Sequence, residues 1–189
     1  MKAEELLRRY AEGERDFRGV DLSGVNLAGA ILPEIDLTQA ILDRVILERA
    51  VLTEANLTAT SLDRALLWGA SLELANLSQA NLNAADLREI NLQQALLYKS
   101  SLAKAMLQQS ILSQAILQRA FLRKANLSQA VLTGANLQQA NLTKTDLTKA
   151  NLSQANLTGA FLIEANLSQV NLTGAILERA ILTNAIMPD

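Results

Sequence analysis

The stretch from residue 126 to residue 160 reads NLSQA VLTGA NLQQA NLTKT DLTKA NLSQA NLTGA, one five-residue phrase written seven times. The same phrase fills most of the 189-residue chain. Leu stands at every fifth position from Leu22 to Leu182, 33 times without exception. The residue two places earlier is Ala in 24 of the 34 cases from Val20 to Ala185. We number each pentapeptide from i−2 to i+2, with i the Leu position.

A period of five fits neither long regular element. On an α-helix, a five-residue step rotates each Leu by about 140° relative to the last, so the leucines would circle the axis. On a straight strand an odd step would place successive leucines on opposite faces. The spacing of two between Ala and Leu is that of a strand. The chain is therefore predicted to form a short extended piece and a corner every five residues, and so to wind into a solenoid.

Proline and glycine mark the corners. Pro33 and Pro188 stand at i+1, and seven of the eight glycines stand at i+2. This order is typical of a type II turn, which needs positive φ at its third residue. Elsewhere position i+2 is mostly Gln, Lys, Arg or Glu, which disfavour positive φ. A mixture of turn types is therefore expected around each coil.

The phrase A(N/D)LXX, seen as Ala-Asn-Leu-Ser-Gln and its variants over residues 17–187, resembles the pentapeptide-repeat family. The resemblance implies an all-β fold, the right-handed quadrilateral β-helix, with four pentapeptides per coil and residue n stacked on residue n+20. About eight coils would make a rod about 40 Å long. Residues 5–21 and the closing AIMPD also resemble cyanobacterial members of the family.

The first residues do not follow the repeat. KAEELLRRYAE, residues 2–12, predicts a short amphipathic helix that ends at Gly13, with Leu6, Leu7 and Tyr10 on one face. An open solenoid end needs a cover, because exposed rungs and core promote aggregation. The predicted organisation is a helical cap over residues 1–16 and a β-helix over residues 17–189.

Composition disfavours catalysis. The chain has no Cys and no His, so disulfides, the usual catalytic triads and the common zinc sites are not expected. Phosphate-loop and dinucleotide motifs are absent as well. The protein is predicted not to be an enzyme and to need no cofactor or metal. With no signal-type or membrane-spanning apolar run, it is expected in the cytoplasm, without membrane contact.

Charge is unevenly distributed along the repeat. Residues 22–90 hold nine acidic and four basic side chains, whereas residues 91–150 hold one acid and seven bases. If each coil takes four pentapeptides, the side chains at i+2 on one side form a column that we call the basic column: Gly24, Arg44, Arg64, Ala84, Lys104, Lys124, Lys144, Glu164 and Asn184. Stacked cations repel unless they are solvated or matched by an anion. The column is either an ordinary solvated face or a docking stripe for an acidic partner.

Position i−1 is expected to point outward, and it is usually Asn, Asp or Ser. Between residues 96 and 131 it becomes apolar, except at Ser101 and Asn126, which gives one coil an apolar band on all four sides. Within this band the candidate partner-binding residues are Met106, Ile111, Ile116 and Phe121. Either position i−1 is half-buried and tolerates apolar residues, or the band is an interaction surface. Phe121 would neighbour Lys124, an apolar and basic pairing that interfaces favour.

The last pentapeptides suggest self-association. No helix-like segment follows them, and Leu172, Leu177, Leu182 and Met187 would form an open final coil with Ile176, Ile181 and Ile186 outside it. The candidate self-association residues are Ile176, Ile181, Ile186 and Met187. A weak homodimer through this coil is the corresponding expectation.

Four functions follow from these features. The leading hypothesis is a rigid scaffold that binds a protein partner whose identity is unknown. By resemblance, a DNA mimic that binds a type II topoisomerase is the second, although mimicry needs a more negative surface. A regulator of cyanobacterial signalling or differentiation is the third, and an end-to-end assembly module is the fourth. The acidic pI and the few aromatic residues disfavour nucleic-acid binding.

Overall fold

The computed structural model describes residues 1–188, so Asp189, the last residue of the predicted repeat domain, lies outside the described residues. Each strand of the solenoid is reduced to a single bridged residue at position i−1. From Asp16↔Asp36 to Asn166↔Ile186, every such residue pairs in parallel with the one 20 places later. One coil therefore takes four pentapeptides, as the resemblance implied.

Backbone hydrogen bonds join each pentapeptide to the equivalent pentapeptide of the next coil. In the pentapeptide of Leu37, the Leu37 amide donates to the Asn56 carbonyl at 2.8 Å and the Gln39 amide donates to the Thr58 carbonyl at 2.9 Å. The Ala40 amide closes the turn onto the Leu37 carbonyl at 3.0 Å. The Asp36 amide donates to the Arg15 carbonyl of the previous coil at 2.8 Å, so four of the five amides of the repeat bond to backbone carbonyls and the amide at i+1 is left to find another acceptor.

A side chain supplies that acceptor. Every Asn or Asp at i−1 from Asp16 to Asn171 accepts a hydrogen bond from the amide two positions later, as in Asn76 to Ser78 at 3.0 Å. This is the Asx turn that Asn and Asp form with their own backbone. The polar half of the repeat thus has a local structural role, and most of these side chains are half-buried.

The expected mixture of turn types is wrong. Every position i+2 from Gly19 to Asn184 has positive φ, and 27 of these positions are not glycine. A type II turn requires positive φ at its third residue, here i+2, and negative φ at its second residue, here i+1. The reason lies in the central peptide of the turn, which joins i+1 to i+2. Its amide bonds to the next coil and its carbonyl bonds to the previous one. Changing the turn type would flip this peptide and break both hydrogen bonds, each worth about 0.5–1.5 kcal/mol. The two bonds together therefore offset the cost of positive φ in a residue other than glycine, about 1–2 kcal/mol.

The core consists of the Leu and Ala columns, nearly all of them buried. The polar exceptions at i−2 are satisfied. The hydroxyls of Thr60 and Thr145 donate to the Leu37 and Leu122 carbonyls, both at 2.8 Å. Ser100 and Ser110 bond the Leu carbonyl three positions before them. A buried hydroxyl therefore fits because the Leu carbonyl at each corner can accept a second hydrogen bond.

The predicted N-terminal helix is present as α1, Ala3–Ala11. Leu6 is fully buried in the core cluster, and the Tyr10 hydroxyl donates to the Pro33 carbonyl at 2.8 Å. Leu7 was predicted on the same face, but it is 41% exposed. Leu6 and Tyr10 are one helical turn apart, whereas Leu7 is rotated by about 100° from Leu6. The helix covers the first coil as expected, while the division of domains at residue 16 stays a prediction.

Candidate protein-binding surfaces

The basic column exists as a geometric feature. The amides of Arg44, Lys104 and Lys124 donate to carbonyls of the next coil at 2.9–3.0 Å. Because each backbone at i+2 is fixed by such a bond, its side chain stands directly over the equivalent side chain of the previous coil. All five basic members, Arg44, Arg64, Lys104, Lys124 and Lys144, are exposed.

The column is not uniform in charge. Arg64 lies 3.6 Å from the Asp63 carboxylate, and Lys144 lies 3.1 Å from that of Glu164. Within residues 1–188, Lys104 and Lys124 have no carboxylate within 4.0 Å. Ala84 separates this pair from the two arginines. Arg44 likewise has no carboxylate within 4.0 Å among residues 1–188, so Lys104 and Lys124 are the two unpaired cations that stand on adjacent coils.

The apolar band encircles the rod. Phe121 bridges Ser101 and Asn141, while Met106 bridges Asp86 and Asn126. Ile111 and Ile116 stand on the two remaining columns. Since four pentapeptides complete a coil, four consecutive side chains at i−1 face four directions. A partner that docks on one side meets only one of them, and the most exposed is Phe121, at 51%.

The structure reveals a groove that the sequence reasoning missed. It has a volume of about 670 Å³ and follows one corner of the solenoid. We call it the aromatic groove. Phe121 and Phe161 stand in one column with Asn141 between them. The complete lining is Lys99, Arg119, Phe121, Gln139, Asn141, Thr143, Gly159, Phe161 and Ile163.

The signal for this groove was present in the repeat register. Two of the three phenylalanines in the chain, Phe121 and Phe161, are separated by eight whole pentapeptides, or two coils, and therefore share a column. Gly159 and Phe161 both line the groove, and Gly159, in the corner column that continues from Gln139, adds no side chain there. Two phenylalanines in one column and a glycine corner that lines the same groove are recognised only when the columns are compared for side-chain size as well as for charge.

Charge near the groove is positive. The Lys99 ammonium lies 5.2 Å from the centre of the Tyr98 ring, and hydrogen bonding from Lys99 is the main reason that the pKa of the Tyr98 phenol is lowered. Arg119 lowers this pKa further and donates through Nε to Gln139 Oε1 at 2.8 Å. Neither cation has a carboxylate within 4.0 Å among the residues that the structure describes.

Asp86, outside this region, is compensated locally by a neighbouring arginine. Asp86 accepts two bonds from the Arg88 guanidinium, at 2.8 and 2.6 Å, and these bonds lower the pKa of the Asp86 carboxyl. Across residues 1–188, no group of three or more acidic side chains could hold a metal ion. No helix in that range has the length and apolarity needed to cross a membrane.

The candidate self-association residues lie around the last coil. Ile176, Ile181 and Ile186 bridge back to Asn156, Phe161 and Asn166, and all three isoleucines are exposed. Met187 is exposed as well. The leucines inside this coil are only half-buried, unlike those of earlier coils. The four candidate residues thus form an apolar rim around a partly open core.

This geometry defines a class, a β-solenoid built from five-residue repeats. The family model described as "Pentapeptide repeats" matches the chain in eight copies, over residues 21–58, 32–69, 75–114, 112–148 and 150–187. The chain belongs to the pentapeptide-repeat family, whose members are generally structural or binding proteins.

Several solved structures are similar to the chain. HetL, a pentapeptide-repeat protein involved in heterocyst differentiation regulation in Nostoc sp. Strain PCC 7120, is 34% identical over 100% of this chain and 98% of its own, with a TM-score of 0.42. Rfr23 of Cyanothece 51142 is 25% identical over 98% and 99%, with a TM-score of 0.34. QnrB1, a plasmid-mediated fluoroquinolone resistance protein, is 18% identical over 88% and 86%; its TM-score of 0.54 supports the shared fold alone. No curated protein gives a significant match.

Proposed function

We propose that this protein is a non-enzymatic scaffold that binds another protein through the basic side of the solenoid. The observation that carries the proposal is the pair Lys104 and Lys124, two exposed stacked cations without a carboxylate partner among residues 1–188. Like charges on adjacent rungs repel, so an acidic surface that bound them would relieve this repulsion. Exposed Phe121 is on the same side of the rod and adds apolar contact area.

The experiment is a pull-down from a lysate of the source organism, followed by mass spectrometry. Wild type is compared with the triple variant Lys104→Glu/Lys124→Glu/Lys144→Glu. The matched control reverses charge on a different corner of the same basic stretch, at exposed Lys149 (Lys149→Glu). A partner retained by wild type and by the control, but lost by the triple variant, is the expected result. Equal retention by all three would remove the proposal, provided that their β-type circular dichroism spectra and melting temperatures agree.

The finer architecture belongs to the same proposal. We infer a right-handed quadrilateral β-helix of about eight coils, because four pentapeptides per coil and a corner in each pentapeptide are what that fold requires. Small-angle scattering should then report a rod rather than a sphere. A compact particle of equal axes would contradict this inference.

The last coil supports a weaker second proposal, a homodimer through Ile176, Ile181, Ile186 and Met187. Its support is the apolar rim that these exposed residues form around half-buried leucines. Light scattering over a range of concentrations should show a rising mass, which Ile181→Asp/Ile186→Asp suppresses. A constant monomer mass would exclude it.

The other expectations stay predictions. They comprise the topoisomerase, differentiation and assembly alternatives, the cytoplasmic location, and the absence of nucleic-acid and membrane partners. A topoisomerase inhibition assay would test the first of them. The basic stretch of residues 91–150 opposes DNA mimicry, because a mimic must present negative charge where DNA has phosphates.

A further inference from the structure

We propose that the aromatic groove binds an extended acidic segment of a protein, with an apolar side chain placed between Phe121 and Phe161 and a carboxylate placed at Lys99 and Arg119. This inference rests on the proposed function, since it assigns a second contact site and a partner chemistry to the same scaffold. The corner that forms the groove is not the corner that carries the basic column.

The shape of the groove favours an extended chain. Its corner wall contains one residue from each of four successive coils, Lys99, Arg119, Gln139 and Gly159. Four rungs about 4.8 Å apart span about 14 Å, which is the length of about four residues in extended conformation. The groove is open to solvent along this length, so a longer chain can enter and leave at both ends.

The two ends of the groove differ in chemistry. Lys99 and Arg119 stand at the end nearer the N-terminus, and Phe161 with Ile163 stands at the other. Phe121 and Phe161 are 51% and 40% exposed. An exposed apolar pair beside unneutralised cations is typical of an interface, where apolar burial supplies affinity and charge supplies orientation. A segment with an apolar residue and a nearby Asp or Glu fits both ends.

Charge complementarity selects the occupant. Residues 91–150 contain seven basic side chains and one acidic side chain. A basic or neutral peptide would leave Lys99 and Arg119 unpaired, whereas a carboxylate would form charge-assisted hydrogen bonds with them. Asn141 and Thr143 lie in the groove between the two ends and can bond the backbone of an extended chain.

Gly159 provides the sharpest test. A Cβ built on Gly159 would lie 3.6 Å from Gln139 Cγ, an ordinary contact, at φ +66°. Side chains other than glycine are accepted with the same sign of φ at position i+2 throughout the solenoid. Gly159→Gln should therefore fold and place a side chain over Phe161. Gly134→Gln is the matched control, because its Cβ would meet Gln114 Cγ at 3.7 Å on a different corner.

The experiment is selection of a random phage-displayed peptide library on the full-length wild-type protein, with depletion on Gly159→Gln. Enriched peptides should combine an aromatic or branched residue with Asp or Glu. For the best synthetic peptide, Gly159→Gln and Lys99→Glu/Arg119→Glu should each weaken binding by about tenfold or more. Gly134→Gln should leave affinity within about twofold of wild type.

Enrichment of basic peptides, no enrichment over Gly159→Gln, or equal loss in Gly134→Gln would overturn the inference. So would a labelled oligo-dT probe that binds wild type and is blocked by Gly159→Gln. The pull-down separates this failure from failure of the proposed function. A partner lost by the triple lysine variant but retained by Gly159→Gln would leave the scaffold proposal standing and remove the groove.

Discussion

The first and last described coils differ in what covers their leucines. In the first coil, Phe17, Leu22 and Leu27 are at most 3% exposed, because α1 lies over them. In the last, Leu172, Leu177 and Leu182 are only half-buried, and their amides have no backbone acceptor among residues 1–188. The core position i is apolar in every pentapeptide at both ends. Burial in this fold is therefore a property of neighbouring coils and not of the repeat itself.

The cover of the first coil is held by polar contacts as well as by Leu6. The N-terminal ammonium donates to the Asp21 carbonyl at 2.7 Å, and the Tyr10 hydroxyl donates to Pro33. Arg9 forms an ion pair with Glu14 at the end of the helix. The helix is short, and a helix of nine residues is marginal in isolation. Its stability therefore depends on the core that it covers.

The largest expected effect is at Leu6. Leu6→Ala should lower the free energy of unfolding by about 2–5 kcal/mol, because it removes a fully buried side chain from the interface of α1 with the first coil. The same change at Leu177 should cost less than about 2 kcal/mol, since this leucine is already partly in water. Urea unfolding followed by circular dichroism measures both.

Leu7→Ala is the control on the same helix, and its effect should be close to zero because Leu7 is exposed. Equal losses at Leu6 and Leu177 would show that the two ends are covered alike in solution. The comparison between the coils would then fail.

The next effect concerns the Asx turns, which are also unequal at the two ends. Asn26 accepts from the Ala28 amide at 3.0 Å, and Asp16 and Asp21 do the same for their own turns. In the last coil, Ile176, Ile181 and Ile186 occupy the equivalent position. Asn26→Ala should cost about 1 kcal/mol of unfolding free energy. Asn26→Asp keeps the acceptor oxygen and should therefore lose little unfolding free energy. If Asn26→Asp destabilises as much as Asn26→Ala, the hydrogen bond does not account for the loss.

The sequence predicted the solenoid because one position, the Leu, repeats without exception and dictates the core. The stacking of every fourth pentapeptide was implied by the resemblance to the pentapeptide-repeat family and not by the period of five itself. It did not predict a single turn type, because the cost of positive φ at Gln39 or Lys104 is local whereas the compensating hydrogen bonds come from neighbouring coils. Nor did it predict the aromatic groove. Phe121 was considered only as a single exposed residue, although its spacing of two coils from Phe161 places both rings in one column, and the groove becomes visible only when the columns are compared for shape as well as for charge. The prediction that Leu7 shares the buried face was wrong for a simpler reason, since Leu7 is rotated by about 100° around the helix axis from Leu6.

A smaller effect should appear in acid at the first coil, as it should at Asp86 in the middle of the rod, whose pKa is also lowered, but not at the last coil. Hydrogen bonds from the Arg18 side chain and amide hold the pKa of Asp16 at about 2, below its ordinary value of 3.8. Hydrogen bonding from Arg9 lowers the pKa of Glu14, and that from Ser23 lowers the pKa of Asp21. A carboxyl whose pKa is lower in the folded state than in the unfolded state stabilises the fold at pH values above the unfolded pKa. This stabilisation is lost as the pH falls from about 4 towards about 2.

Amide hydrogen exchange between about pH 4 and about pH 2, corrected for intrinsic rates, should therefore show loss of protection first around residues 14–24. The last coil has a single acidic residue, Glu178, within residues 172–188, so its protection should change less. Parallel loss at both ends would contradict this account. Asp16→Asn is the control, and it should remove part of the pH dependence at the first coil.

The smallest effect is expected from adding side chains at glycine corners. Gly134 donates its amide to the Ser153 carbonyl at 2.9 Å, so its turn is fixed by the next coil. Gly174 in the last coil has no such acceptor among residues 1–188. Gly134→Gln should change the unfolding free energy by less than about 1 kcal/mol, because left-handed strain is offset by the entropy that glycine loses on folding. Gly174→Gln should cost less still, since its turn is free to relax. A loss above about 2 kcal/mol at Gly134 would mean that inter-coil bonding does not offset positive φ, and the contrast between fixed and free corners would be lost.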